Sequence, residues 1–107
     1  MNLDALRKML ARGADSSMLR FGLGSALLEE GSYDEACEHL IRCVEQDEDY
    51  SAAWKLLGRA YERSGNIGEA RRVWQEGLAA AQRSGDKQVE REIEVFLRKL
   101  AKRDASN

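Results

Sequence analysis

Proline is absent from this chain of 107 residues, and aromatics make up only 7% of it. A chain with no proline and mixed charge suits helices that expose one charged face. Charge of a single sign is also missing: 17 basic and 19 acidic residues leave a net charge of −2. That excludes the basic footprint expected of a nucleic-acid-binding domain. No apolar run is long enough to span a bilayer. The first residues, MNLDALRKMLARGADS, carry Asp4 early and Arg7 and Lys8 in the middle. That is not the order of charge, apolar stretch and cleavage site of a signal peptide, so a cytoplasmic address is the expectation. Cysteine is scarce too. Cys37 and Cys43 stand six positions apart, which turns them to different faces of one helix and fits neither a disulfide framework nor a zinc site.

What the chain does have is internal repetition. GSYDEACEHL begins at Gly31 and GNIGEARRVW at Gly65, 34 positions further on. Shifting residues 17–50 onto 51–84 aligns Ser17 with Ser51, Leu23 with Leu57, Gly24 with Gly58 and Ala26 with Ala60. It also aligns Gly31 with Gly65, Glu35 with Glu69 and Ala36 with Ala70. Leu23, Leu27, Leu57 and Tyr61 have helical spacing, as do Ala36 with Leu40 and Ala70 with Trp74. A glycine inside a helix costs about 1 kcal/mol relative to alanine. Something must offset Gly24 and Gly58, and close approach of a second helix at Ala36 and Ala70 is the expected reason. Gly31 and Gly65 suit the left-handed residue that ends a helix.

The stretch WKLLGRAY, followed by Ala70 and Trp74, resembles the tetratricopeptide repeat, whose unit of 34 residues carries Trp, Leu, Gly, Tyr and Ala at these spacings. The first copy keeps Leu23, Gly24 and Ala36 but has Arg20, Leu27 and Leu40 where aromatics are usual. The resemblance implies an all-α solenoid of antiparallel helix pairs. Six helices are expected, near 2–12, 16–30, 34–47, 51–63, 67–83 and 86–102. Together they form one domain over 1–102, with repeats at 17–50 and 51–84 and a frayed tail at 103–107. Stacks of this kind need about three units, so the flanks have work to do. The N-terminal helix, with Leu3, Leu6 and Leu10 on one face, is similar to the second helix of a preceding unit. The C-terminal helix puts Val89, Ile93, Phe96, Leu97 and Leu100 on one face and is expected to cap the stack.

Catalytic chemistry finds no foothold. There is no phosphate-cradling Gly-Lys-Ser/Thr loop and no zinc-protease motif, and the single histidine, His39, has no serine and carboxylate arranged around it in the sequence. Asp47-Glu48-Asp49 lacks the ligand order of a calcium loop. Trp54 and Trp74 fall in core slots of the repeat, which disfavours a base-stacking platform. No enzyme activity, cofactor or metal is expected, and neither nucleic acid nor membrane as a partner.

The surface remains. The resemblance implies that the first helix of each pair lines a concave groove. The groove-facing slots hold Met18, Phe21, Ser25, Leu28 and Glu29, then Ala52, Lys55, Arg59, Glu62 and Arg63. Lys55, Arg59 and Arg63 form a basic stripe, read either as a solvated face or as a docking site for an acidic or C-terminal peptide. Ser25 and Leu56 depart from the family's carboxylate-clamp pattern. The function expected is a protein-interaction adaptor whose peptide site comprises Phe21, Ser25, Leu28, Lys55, Arg59, Glu62 and Arg63. The alternative is a structural module that self-associates, so the chain is expected to be a monomer or a weak homo-oligomer.

Overall fold

The computed structural model describes residues 2–106. It contains α1 (Leu3–Ala11), α2 (Ser17–Glu30), α3 (Tyr33–Gln46), α4 (Ser51–Arg63), α5 (Ile67–Ser84) and α6 (Lys87–Ser106), with no strand among the described residues. Local chemistry sets the ends. Ser16 Oγ accepts from the Leu19 amide at 3.1 Å and Asp86 Oδ1 from the Val89 amide at 3.1 Å, capping α2 and α6. Gly31 (φ 90°) and Gly65 (φ 88°) are left-handed. Each lets the next amide reach back to the helix just ended, Ser32 to the Leu27 carbonyl and Asn66 to that of Tyr61. These short turns make α2–α3 and α4–α5 antiparallel hairpins.

The first five helices start and stop within one residue of the expected positions, but the last does not. The segment from 103, expected as a frayed tail, continues α6 to Ser106; Met1 and Asn107 lie outside the described residues. Arg103 reaches Glu62 of α4 at 3.7 Å and Asp104 pairs with Arg71 of α5, so the final turn is tethered to two helices.

The helices stack into an elongated slab, 47 × 29 × 19 Å. Three apolar clusters follow one another along it. Leu6 joins Leu19 and Leu23 between α1 and α2. Leu27, Leu40 and Leu57 anchor the centre, and Trp74, Val89, Ile93 and Leu100 hold α5 to α6. Tyr61 packs against both of the last two clusters and joins them. The inward face of α6 packs on α5: Val89, Ile93 and Leu100 are buried, and the half-buried Phe96 ring stacks on Trp74 at 5.0 Å.

The helix glycines do receive a second helix, one turn away from the expected point. A Cβ on Gly24 would lie 2.4 Å from Leu40 Cγ, and one on Gly58 would lie 2.0 Å from Trp74 Nε1. Ala36 and Ala70 are fully buried, but they do not fill the notches. A helical side chain leans toward the N-terminus and covers the turn before its own Cα. Leu40 and Trp74 therefore reach back over the glycines, while the alanines keep that approach clear. Trp74 also donates from Nε1 to the Lys55 carbonyl at 3.0 Å, so the indole is buried without an orphaned N–H.

Candidate functional site

The expected groove residues split into two groups with different surroundings. On α2 the Phe21 ring stacks on Tyr50, centroids 4.9 Å apart and planes 22° apart. Phe21 and Leu28 are half-buried against the central cluster. Ser25, between them on the helix, is half-buried as well. Met18, one turn before Phe21, is 75% exposed and is the most exposed large apolar side chain among those described.

On α4 the basic stripe is not open in the way its sequence suggests, because α6 lies along it. Lys55 Nζ sits 3.1 Å from Glu92 Oε1. The Arg59 guanidinium carbon stands 5.0 Å from the centre of the Phe96 ring, a cation–π contact, and Arg59 Nη1 is 3.6 Å from Glu62 Oε1. Glu62 is shared with Arg103 of α6. Arg63 is exposed and makes no ion pair among the described residues. The structure thus brings Lys55, Arg59 and Glu62 together with Glu92, Phe96 and Arg103. Among the ion pairs of the described residues, Lys55, Arg59 and Arg103 share Glu62 and Glu92, and Arg63 adds a fourth cation on α4 and α6.

The α6 members of this site escaped the reading by sequence, although a signal exists. Lys55 and Glu92 are 37 positions apart, and so are Arg59 and Phe96. An offset near the repeat length is what parallel neighbouring helices produce, and it marks α6 as lying alongside α4 in the manner of a further first helix.

The other polar cluster joins α1, α2 and α3 through side chains alone. Arg7 donates to both Glu35 oxygens at 3.0 and 2.9 Å, and Arg20 grips Asp15 with two bonds of 2.8 Å. Gln46 donates to the same Asp15 at 2.9 Å. Arg20, with Gln46 assisting, holds the Asp15 carboxyl well below the usual carboxylate range. Arg20 Nη1 also lies 3.0 Å from His39 Nδ1. Guanidinium can only donate, so this ring nitrogen accepts and His39 is neutral. Burial, and then the charge of Arg20, push the His39 pKa down. The unfolded chain therefore takes up a proton before the folded one does. Stability is expected to fall as pH drops below about 6.5, the unfolded histidine value. His39→Gln should flatten that decline, and urea titrations at a series of pH values check it.

Cys37 and Cys43 are free and buried. Burial pushes their thiols up to about 11 and about 12, far from the thiolate that reactivity requires. Among the described residues no group of three or more His, Cys, Asp or Glu side chains is placed to hold a metal ion. No helix of the described residues is long and apolar enough to cross a membrane.

Known proteins carry the same architecture. Residues 27–89 match the family model described as tetratricopeptide repeat. The chain is 55% identical over 100 residues to a TPR repeat-containing protein of Pseudomonas aeruginosa, covering 94% of this chain and 95% of that protein. It is 44% identical to a Bordetella parapertussis protein known from a solution structure, with a TM-score of 0.87 over 100% of this chain and 93% of that one. A tetratricopeptide repeat domain protein of Salinibacter ruber, 24% identical, shares the fold at a TM-score of 0.74 over 79% of this chain and 94% of that one. The chain belongs to the tetratricopeptide-repeat family, whose members in general serve as protein–protein interaction modules.

Proposed function

We propose that this protein is a non-enzymatic adaptor that holds a segment of another polypeptide along the face formed by α2 and α4, with α6 as its edge. The segment is acidic or ends in a free carboxylate. The observation that carries this reading is the cluster of basic side chains around Arg59 and Arg63, next to an α2 face that bears Met18, Phe21 and Leu28. Apolar side chains of the partner would rest on Met18 and Phe21, and its carboxylates would meet Arg63 and Arg59. Ser25 offers a hydroxyl between the apolar contacts. Lys55 and Glu62 are engaged with α6 and serve mainly to shape the edge. No metal, cofactor, nucleic acid or bilayer has a part in this reading, and its setting is the cytoplasm, which fractionation of the host cell would test.

Exposed ion pairs contribute about 0.2–1 kcal/mol each. Two or three of them change affinity about twofold to a hundredfold, at 1.4 kcal/mol per decade, and the effect shrinks as salt screens it. The test is charge reversal at Arg59 and Arg63, with the native partner captured from the host and circular dichroism confirming the fold. Because Arg59 also covers Phe96, Arg63→Glu alone separates charge from packing. A partner that binds both variants as tightly as the parent at low salt would rule this face out.

A further inference from the structure

Two other surfaces of this chain carry opposite charge, and we propose that they dock on each other between copies. The first is the outward face of α6, formed by Val95, Arg98, Lys99, Ala101, Lys102 and Ala105. Val95 is 37% exposed there. Arg98 and Lys99 make no ion pair among the described residues. The alanines leave the helix backbone approachable along this side, with the basic residues rising around it.

The second is a groove of about 700 Å³ lined from α3, α4 and α5, where Trp54 and Val44 are framed by Glu45, Glu48 and Glu76. Arg83 also lines it, but its charge is taken up by Asp49 at 2.7 Å and by the Glu48 carbonyl at 3.2 Å. Glu45 has only the exposed Arg42 at 3.3 Å, and Glu48 and Glu76 have no ion pair among the described residues. Trp54 spends its indole N–H on the Glu48 carbonyl at 2.9 Å. The groove thus offers carboxylates and an aromatic wall, the surroundings that suit Arg and Lys side chains.

Charge also decides which copy-to-copy contact is favoured. Two α6 faces set against each other would oppose like charges. Stacking α6 end to end on the α1 of another copy would bring it to the exposed Lys8 and Arg12, with Asp4 as the sole exposed carboxylate of α1. The α3–α5 groove answers the basic helix with three carboxylates, Glu45, Glu48 and Glu76, set beside an aromatic wall. The charged residues of this contact differ from Arg59 and Arg63 of the face proposed for a partner, so the two can be tested separately.

The experiment is sedimentation equilibrium of the whole chain across a wide concentration range. The expected result is weak, concentration-dependent association whose dissociation constant rises about tenfold or more between about 0.01 and 0.15 M salt, as the Debye length falls from ~30 to ~8 Å. Arg98→Glu with Lys99→Glu should abolish it, as should Glu45→Lys with Glu76→Lys. An equimolar mixture of these two variants should associate again, because each now presents what the other lost. All four positions are exposed, so the fold should survive, and circular dichroism verifies that. A parent chain that stays monomeric at every concentration in low salt would overturn the proposal. So would variants that associate as the parent does, or a mixture that fails to recover. Arg63→Glu should leave the association unchanged.

Discussion

A chain ended after Gly85 is expected to lose cooperative folding. The cut removes α6 and with it Val89, Ile93 and Leu100, all buried. Each is worth roughly 1.5–3 kcal/mol when fully buried, so the three together account for about 5–9 kcal/mol. A domain of this size has about 5–15 kcal/mol in total. The loss is compounded on the side left behind, where Trp74, Ala70 and Ala81 would lose their cover. The fragment should keep much of its far-ultraviolet helical signal, lose its near-ultraviolet tryptophan signal and bind hydrophobic dyes, as compact states without fixed packing do. A soluble fragment with a sharp urea transition would show that α6 is an appendage.

The second large effect sits at the meeting of Gly58 and Trp74. Trp74→Ala should cost about 3–5 kcal/mol, the range for emptying a large aromatic from a core. Gly58→Ala should also destabilise, by about 1–3 kcal/mol, because the added methyl would fall inside the indole. The same substitution raises helix propensity by about 1 kcal/mol. With Trp74 already removed the methyl has room, so Gly58→Ala should then stabilise by about that amount. The expected signature is a reversal of sign between the two backgrounds, read from urea unfolding of the four proteins. If Gly58→Ala costs the same in both backgrounds, the close approach of the indole is not why a glycine is there.

Helix number, glycine-ended turns and inward faces were legible along the chain because each depends on neighbours a few positions away. Gly31 and Gly65 mark left-handed ends, and the spacing of Val89, Ile93 and Phe96 marks one side of a helix. The recurrence over 34 residues added which helix pairs with which, since the same small residues return in the same slots. The length of α6 was not legible. The residues that carry it past 102, Arg103 and Asp104, find their partners Glu62 and Arg71 in space, at separations of 41 and 33 positions. Which side chain enters each glycine notch was missed by one turn, because the tilt of side chains along a helix matters only once a second helix is set against it.

The basic stripe shows the same division at the candidate site. By itself the sequence determined that Lys55, Arg59 and Arg63 share a face, since positions four apart on a helix lie nearly above one another. It also determined that Phe21 and Leu28 lie on one side of α2. Only the tertiary structure decided which of those charges are already engaged. Glu92, Phe96 and Arg103 come against α4 because the apolar side of α6 is drawn onto Trp74 and Gly77, and that packing fixes the rotation of the whole helix. The rotation brings Glu92 to Lys55 and Phe96 beneath Arg59, and it turns Val95, Arg98 and Lys99 outward. Helical periodicity assigns residues to faces, but the direction in which a face points is settled by the neighbour that buries its apolar side.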